Sequence, residues 1–202
     1  AGQGGFGDFF KYHGWLSPGV RLFRRIGFRS KAIWISTAFL VPLVMALLLL
    51  AMAAREQINV ARSERAGVDY ARPLLNLVAA AQSRRRAATG NDADLQALQD
   101  KVSAAFADVQ AKHAMHSEAM GVREAFETLS KSHETLLKSP LADSADATFT
   151  AHSDFIEAGF DLLRKIADGS QLALDPELQS FHMMNMALLR GPLQTENTAK
   201  LR

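Results

Sequence analysis

Residues 32–54 read AIWISTAFLVPLVMALLLLAMAA, twenty-three positions without a charged side chain. At about 1.5 Å per helical residue the run reaches roughly 35 Å, against a hydrocarbon core of about 30 Å, so it is long enough to cross a bilayer with some tilt. Basic residues crowd its upstream edge at Arg21, Arg24, Arg25, Arg29 and Lys31. The chain is therefore read in three pieces: a basic lead-in over 1–31, a transmembrane helix over 32–54 and an outer domain over 55–202. Pro42 is compatible with a span, because neighbouring groups can re-satisfy the carbonyl that a proline leaves free.

Charge is split by the span. The lead-in holds six basic residues and one acid, Asp8, for a net +5, whereas the piece beyond holds seventeen basic and twenty acidic residues, for a net −3. Lys and Arg near the span are the residues that orient it. The upstream cluster outnumbers Arg55, Arg62 and Arg65 downstream, which predicts a cytoplasmic N-terminus. A cleavable signal peptide is the competing reading, since Ala51-Met52-Ala53 has the A-x-A form of a cleavage site. Its lengths do not fit: signal h-regions run about 7–15 residues behind a short head, and here a long head precedes a longer apolar run. An uncleaved anchor is the expectation.

The 148 residues after the span suffice for one domain. They hold hardly any alternating Val, Ile, Thr and aromatic run, so strands are not expected. The first outer helix is predicted to leave the membrane and run to about Ala88 through Leu74, Leu75, Leu77, Val78 and Ala81, with Pro73 a point of kinking. Thr89-Gly90-Asn91-Asp92 stops it. Capped by Asn91 or Asp92, a second helix places Leu95, Leu98, Val102, Phe106, Val109 and His113 at steps of three and four, a seam for other helices. Gly121 marks a turn. A shorter helix comes next through Phe126, Leu129, His133 and Leu136 and ends at Ser139-Pro140. Another begins near Asp143, carries Phe149, Phe155, Ile156, Phe160, Leu163 and Ile166, and stops at Asp168-Gly169. The last opens at Asp175-Pro176, an N-cap followed by proline at the first helical position, and runs through Phe181, Met184, Leu188, Leu189 and Leu193. Amphipathic helices joined by short turns predict an all-α, up-and-down, four-helix-type bundle with an irregular connecting helix near 121–138. An even helix count returns the chain to the membrane, so a second span is expected past Arg202. Cysteine is absent, which excludes disulfides and thiolate metal sites.

Chemistry-bearing patterns are few. No phosphate-cradling glycine loop, nucleophile elbow or H-E-x-x-H pair occurs, so an enzyme is not expected and no cofactor is called for. His113 and His116 stand three apart near Glu118, but without a third located ligand they read as a packed and a surface histidine rather than a metal site. Arg84, Arg85 and Arg86 follow Gln82. Successive helical residues point about 100° apart, so the three guanidinium groups cannot share one environment, and one is expected to turn into the bundle. An inward arginine can clamp a carboxylate or another oxyanion bidentately. Met183, Met184 and Met186 read as core fillers. Phe6, Phe9, Phe10, Tyr12 and Trp15 fit either a helix along the cytoplasmic membrane surface or a glycine-rich tail. Nucleic acid is not an expected partner, because anionic headgroups lie nearer to the basic residues.

Two stretches carry a family resemblance. Glu64-Arg65-Ala66-Gly67-Val68-Asp69-Tyr70 with Gln82-Ser83-Arg84-Arg85, and Leu174-Asp175-Pro176-Glu177-Leu178-Gln179-Ser180-Phe181, resemble the N-terminal sensor regions of bacterial transmembrane receptors, methyl-accepting chemotaxis proteins above all. Similar regions head sensor histidine kinases and diguanylate cyclases, and the lead-in Ser17-Pro18-Gly19-Val20-Arg21-Leu22-Phe23-Arg24-Arg25 fits the same group. The first stretch is also similar to helical nitrate-sensing domains, whose pattern is Gln, any residue, Glu or His, Arg, Gly. Here Arg84 stands for the Glu or His and Arg86 for the glycine, while Gln82 and Arg85 match; in the later motif His182 and Asn185 stand where Tyr and Asp are common. The resemblance implies an inner-membrane receptor input module with a periplasmic bundle that senses a small solute, an anion among the candidates. It further implies ligand contacts at Arg85, with Gln82 and Arg84 beside it, and a homodimer. A static first outer helix and a last helix that transmits a displacement of about 1–2 Å would then carry the signal. A structural anchor or scaffold is the rival reading. A dry core filled by Phe149, Phe155, Phe160 and Phe181 would favour the scaffold, and a polar cavity reached by Arg85 the sensor.

Overall fold

The computed structural model describes residues 27–90, 94–138, 144–174 and 182–200, and every regular element among these described residues is helical. The protein is all-α. Several expected features lie outside the described residues: the aromatic and basic lead-in from Phe6 to Arg25, the boundary residues Asn91, Asp92, Ser139-Pro140, Asp143 and Asp175-Pro176, and Phe181.

Two compact units divide the chain, Ala1–Gln57 and Ile58–Arg202. Helix α1, Phe28–Gly90, contributes residues to both and is unbroken at Pro42 and Pro73. In the first unit it carries an 18-residue window of mean hydropathy 2.5, none of it buried. That stretch is long and apolar enough to cross a membrane.

The second unit begins with the remainder of α1 and continues through α2 (Leu95–Met120), α3 (Arg123–Lys138) and α4 (Ala145–Gly169). A short 3-10 turn, Leu172–Leu174, comes next, then a π-helical turn, Asn185–Arg190, that runs directly into α5 (Gly191–Lys200). Caps fix the boundaries. Asp94 accepts the Ala97 N–H at 3.3 Å and Ser144 accepts the Ala147 N–H at 3.1 Å, each satisfying a first-turn donor that a helix cannot satisfy itself. Asp94, rather than Asn91 or Asp92, is thus the observed cap of α2. Gly121 closes α2 in the left-handed region at φ 65°, where only glycine is free of strain, and its N–H reaches back to the Ser117 carbonyl.

Contacts along the helices give their directions. Gly67 on α1 meets Ser170, Val78 meets Gly159 and Arg84 meets His152, so residue numbers rise on α1 as they fall on α4 and the two run antiparallel. Phe106 against His133 and His113 against Phe126 give the same antiparallel relation for α2 and α3. Between them Tyr70, Leu74, Leu77 and Ala81 from α1, Val102 and Val109 from α2, Leu129 and Leu136 from α3, and Phe155, Ile156, Leu162, Leu163 and Ile166 from α4 are removed from water. Each large aliphatic or aromatic side chain so buried contributes about 1.5–3 kcal/mol, enough to hold helices whose intrinsic propensity alone would leave them marginal.

The methionines depart from expectation. Met183 and Met186 are exposed and Met184 is half-buried, while Leu188 and Leu189 pack on the core. Met183 precedes the π turn and Met186 lies within it, on the side away from Leu188 and Leu189.

Candidate functional site

The site is built on the last two turns of the long first helix. Of the three consecutive arginines, Arg84 and Arg85 are buried, at 2% and 3% exposure, and only Arg86 is exposed. The expectation of a single inward arginine is corrected to two. Because neighbours on a helix diverge by about 100°, the two point to different partners.

Arg84 turns to α4. Its Nη1 lies 2.5 Å from His152 Nε2, and His152 Nδ1 lies 2.7 Å from the Thr148 carbonyl. A carbonyl only accepts, so the proton sits on Nδ1 and the Nε2 lone pair receives Arg84. Burial holds the His152 imidazole below its ordinary pKa; the Thr148 hydrogen bond raises it in part, and the charges of Arg84 and Arg85 lower it again. The ring is neutral and acts as an acceptor.

Arg85 turns toward the last helix. Its Nη1 donates to Glu196 Oε1 at 2.5 Å and to Ser153 Oγ at 2.9 Å, and its Nη2 donates to Glu196 Oε2 at 3.0 Å. Ser153 in turn gives its proton to the Phe149 carbonyl at 2.8 Å, which leaves its oxygen lone pair for the arginine. The guanidinium carbon stands 4.7 Å from the centre of the Phe149 ring, within cation–π range. Gln82, half-buried one turn earlier, donates from Nε2 to Glu196 Oε2 at 2.9 Å. Lys200 Nζ stands 4.0 Å from Oε1.

Glu196 is thus the hub: 2% exposed, the sole buried residue of α5, and bound by a bidentate guanidinium and an amide. Burial alone would raise its carboxyl pKa, but hydrogen bonds from Arg85 and Gln82, with the charges of Arg85 and Lys200, hold it below the usual carboxylate range. It is ionised at neutral pH.

Beside this cluster lies a cleft of about 930 Å³, at the upper end of the range for small-molecule pockets. Arg85, Gln82, Arg86 and Thr89 from α1, Asp146 and Phe149 from α4, and Gln194, Thr195 and Thr198 from α5 face it. The hydroxyls of Thr89, Thr195 and Thr198 each donate to the carbonyl one turn back, at 2.9–3.0 Å, and so turn oxygen lone pairs outward. Two arginines, a carboxylate, amides and hydroxyls stand there among apolar groups such as Phe149, Ala145 and Ala199, a mixed lining suited to a compact solute with one polar end.

Of the residues singled out from the sequence, Gln82 and Arg85 share this cluster, whereas Arg84 belongs to the neighbouring contact with His152. His113 and His116 are drawn apart by separate partners. His113 Nδ1 pairs with the Tyr70 hydroxyl at 2.9 Å and stacks on Phe126, while the half-buried His116 reaches Asp69 at 3.2 Å. Lys112 binds the same Asp69 carboxylate, and its hydrogen bond, with that of His116, holds the Asp69 pKa low. Among the described residues no three His, Asp or Glu side chains are arranged to hold a metal ion. Sequence reasoning misses Glu196, His152 and Ser153. Glu196 sits in Gln194-Thr195-Glu196-Asn197-Thr198, which reads as a solvated face, and the one available signal is the need for some carboxylate opposite an inward arginine.

No family model, curated protein or solved structure matches the chain. Among the described residues the fold and the site define an all-α protein with one helix long and apolar enough to cross a membrane and a buried ion-pair cluster at the wall of a cleft of mixed lining.

Proposed function

We propose that the chain is the input module of a bacterial transmembrane chemoreceptor. Residues 32–54 anchor it in the inner membrane with 1–31 cytoplasmic, and 55–202 form a periplasmic, up-and-down, four-helix-type bundle that works as a homodimer and senses a small solute. The observation that carries this reading is the Arg85–Gln82–Glu196 cluster at the wall of the cleft. It ties the first helix to the last, so a solute that prefers one relative position of the two biases their equilibrium by its differential affinity. A cleft that Arg85 and other polar side chains line supports a sensor over a scaffold with a dry interior. A sensor histidine kinase or a diguanylate cyclase would use the same input, and the output chemistry distinguishes them.

The test is a fusion of the chain, through a second membrane span, to a chemotaxis signalling domain, with small organic and inorganic solutes screened for a change in output. At least one solute is expected to shift output, and Arg85→Ala to abolish the shift. Output that no solute moves would leave a structural anchor as the better reading.

A further inference from the structure

The cation expected to hold a ligand is already in use. Arg85 spends both arms of its guanidinium on Glu196, and Gln82 donates to the same carboxylate, so every strong donor of the cluster converges on two oxygens in one plane. That is a receptor for a carboxylate, and the carboxylate in it belongs to the protein. The cluster nonetheless borders the cleft, because Arg85 and Gln82 both line it.

The geometry points to a site for small organic carboxylates at Arg85 and Gln82, in which the ligand's carboxylate takes the place of the Glu196 side chain. This rests on the receptor reading above and specifies both its ligand class and how the ligand would be felt. Geometry favours the exchange over simple addition. Both Nη groups of Arg85 and the Gln82 amide are already taken by Glu196, so a second carboxylate finds no free fork there, whereas substitution keeps one carboxylate on it throughout. The buried arginine is never left without a partner, which is the costly state. Glu196 has somewhere to go: Lys200, one turn further along α5, is already 4.0 Å away and is about two-fifths exposed, so the released carboxylate can turn toward a solvated cation. A neutral solute cannot make the exchange, since it would leave Arg85 buried and unpaired. Chloride is a single spherical acceptor and cannot supply the two oxygens that the fork and Gln82 together engage.

Because Glu196 is the only buried residue of α5, its release removes the polar tie between α5 and α1. The π-helical turn just before α5 is the natural place for the resulting shift. Gly191 donates its N–H to the Met186 carbonyl five residues back, and a π turn can revert toward α geometry, re-aiming the helix beyond it.

The experiment uses the full chain in lipid nanodiscs and reads thermal unfolding of Glu196→Ala and Glu196→Gln in formate, acetate, acetamide and chloride at matched ionic strength. Acetate and formate are expected to raise the midpoint of both variants in proportion to the logarithm of their concentration, as mass action requires, while acetamide and chloride do not. Wild type is expected to need at least tenfold more acetate for the same shift, because Glu196 competes from within. Adding Arg85→Ala to either variant is expected to erase the response. If acetate and formate do no more than chloride, or if both variants stay unfolded whether or not acetate is present, the exchange site does not exist. The two readings fail separately. Acetate rescue with a fusion whose output stays flat keeps the carboxylate site and removes the receptor. A fusion that answers to solutes but ignores Glu196→Gln keeps the receptor and removes the exchange.

Discussion

Arg85 and Glu196 are worth far more to each other than either is worth to the fold alone. Both are nearly excluded from water, and the two face each other as a bidentate fork. Removing the carboxylate leaves a guanidinium that keeps only Ser153 Oγ and the Phe149 ring, so Glu196→Ala is expected to cost about 3–5 kcal/mol of stability, read by urea unfolding. Replacing both members with apolar residues of similar size, Arg85→Met with Glu196→Leu, is expected to cost much less than the sum of the single changes. A double cycle that came out additive would mean the pair is solvated in solution. This is also the scale at which the sequence is least legible. Arg84 and Arg85 lie in a run of three arginines near a helix end, which composition reads as surface, and Glu196 lies among Gln, Thr and Asn. What buries Arg85 and Glu196 is a partner more than a hundred residues away, and no local pattern carries that information.

At the scale of the helix, the pattern is far easier to read, because a buried stripe repeats. Val102, Phe106 and Val109 keep the spacing of an α-helix and are all buried, as the seam predicts, and Gly121 ends the element where a left-handed residue is needed. The irregular π turn is not legible. Nothing in Asn185-Met186-Ala187-Leu188-Leu189-Arg190 forbids an ordinary α-helix, so no local pattern marks the wider turn. Glycines mark the close approaches between elements. A Cβ at Gly169 would collide with the Met120 carbonyl, which is backbone and cannot swing aside, so Gly169→Ala is expected to cost about 1–3 kcal/mol. At Gly159 the nearest atom is a Val78 methyl at 3.0 Å, which can yield by a small adjustment. Thermal unfolding of the two variants side by side should therefore find Gly169→Ala the more damaging.

For the whole helical unit the decisive quantity is the charge it encloses. Among the described residues Arg84 and Arg85 supply two buried cations against the single buried carboxylate of Glu196, and three histidines stand on three different helices: the half-buried His113 on α2 and the buried His133 on α3 and His152 on α4. Burial lowers the pKa of all three below the ordinary value for histidine. Arg123 lowers His113 further and Glu127 opposes it; Arg84 lowers His133 further and Glu134 opposes it; Arg84 and Arg85 both act on His152. His133 is the most exposed to the consequence, because its ring lies face to face with Phe106 at 4.0 Å between centres, and its buried Nε2 has no hydrogen-bond partner among the described residues. A proton placed there would gain no acceptor. Unfolding frees the rings to titrate near 6.5, so between that pH and the lower native values the unfolded chain binds more protons than the folded one, and stability falls as pH falls. The full contribution is present above about pH 6.5 and is lost as pH drops through the native pKa values. Glu196 and Asp69, also lowered, add a second loss only below the ordinary carboxylate range of about 4. Stability measured by urea unfolding is therefore expected to be flat from about pH 8 to about 7, to decline as pH falls below about 6.5 through the histidines alone, and to fall further below about 4 as the carboxylates join. His133→Leu, which fills the slot beside Phe106 without a titrating group, is expected to shrink the first decline, leaving the share of His113 and His152, and to leave the second in place. A wild-type profile without a step in the upper window would mean that the three rings are solvated and titrate as freely in the folded protein as in the unfolded chain.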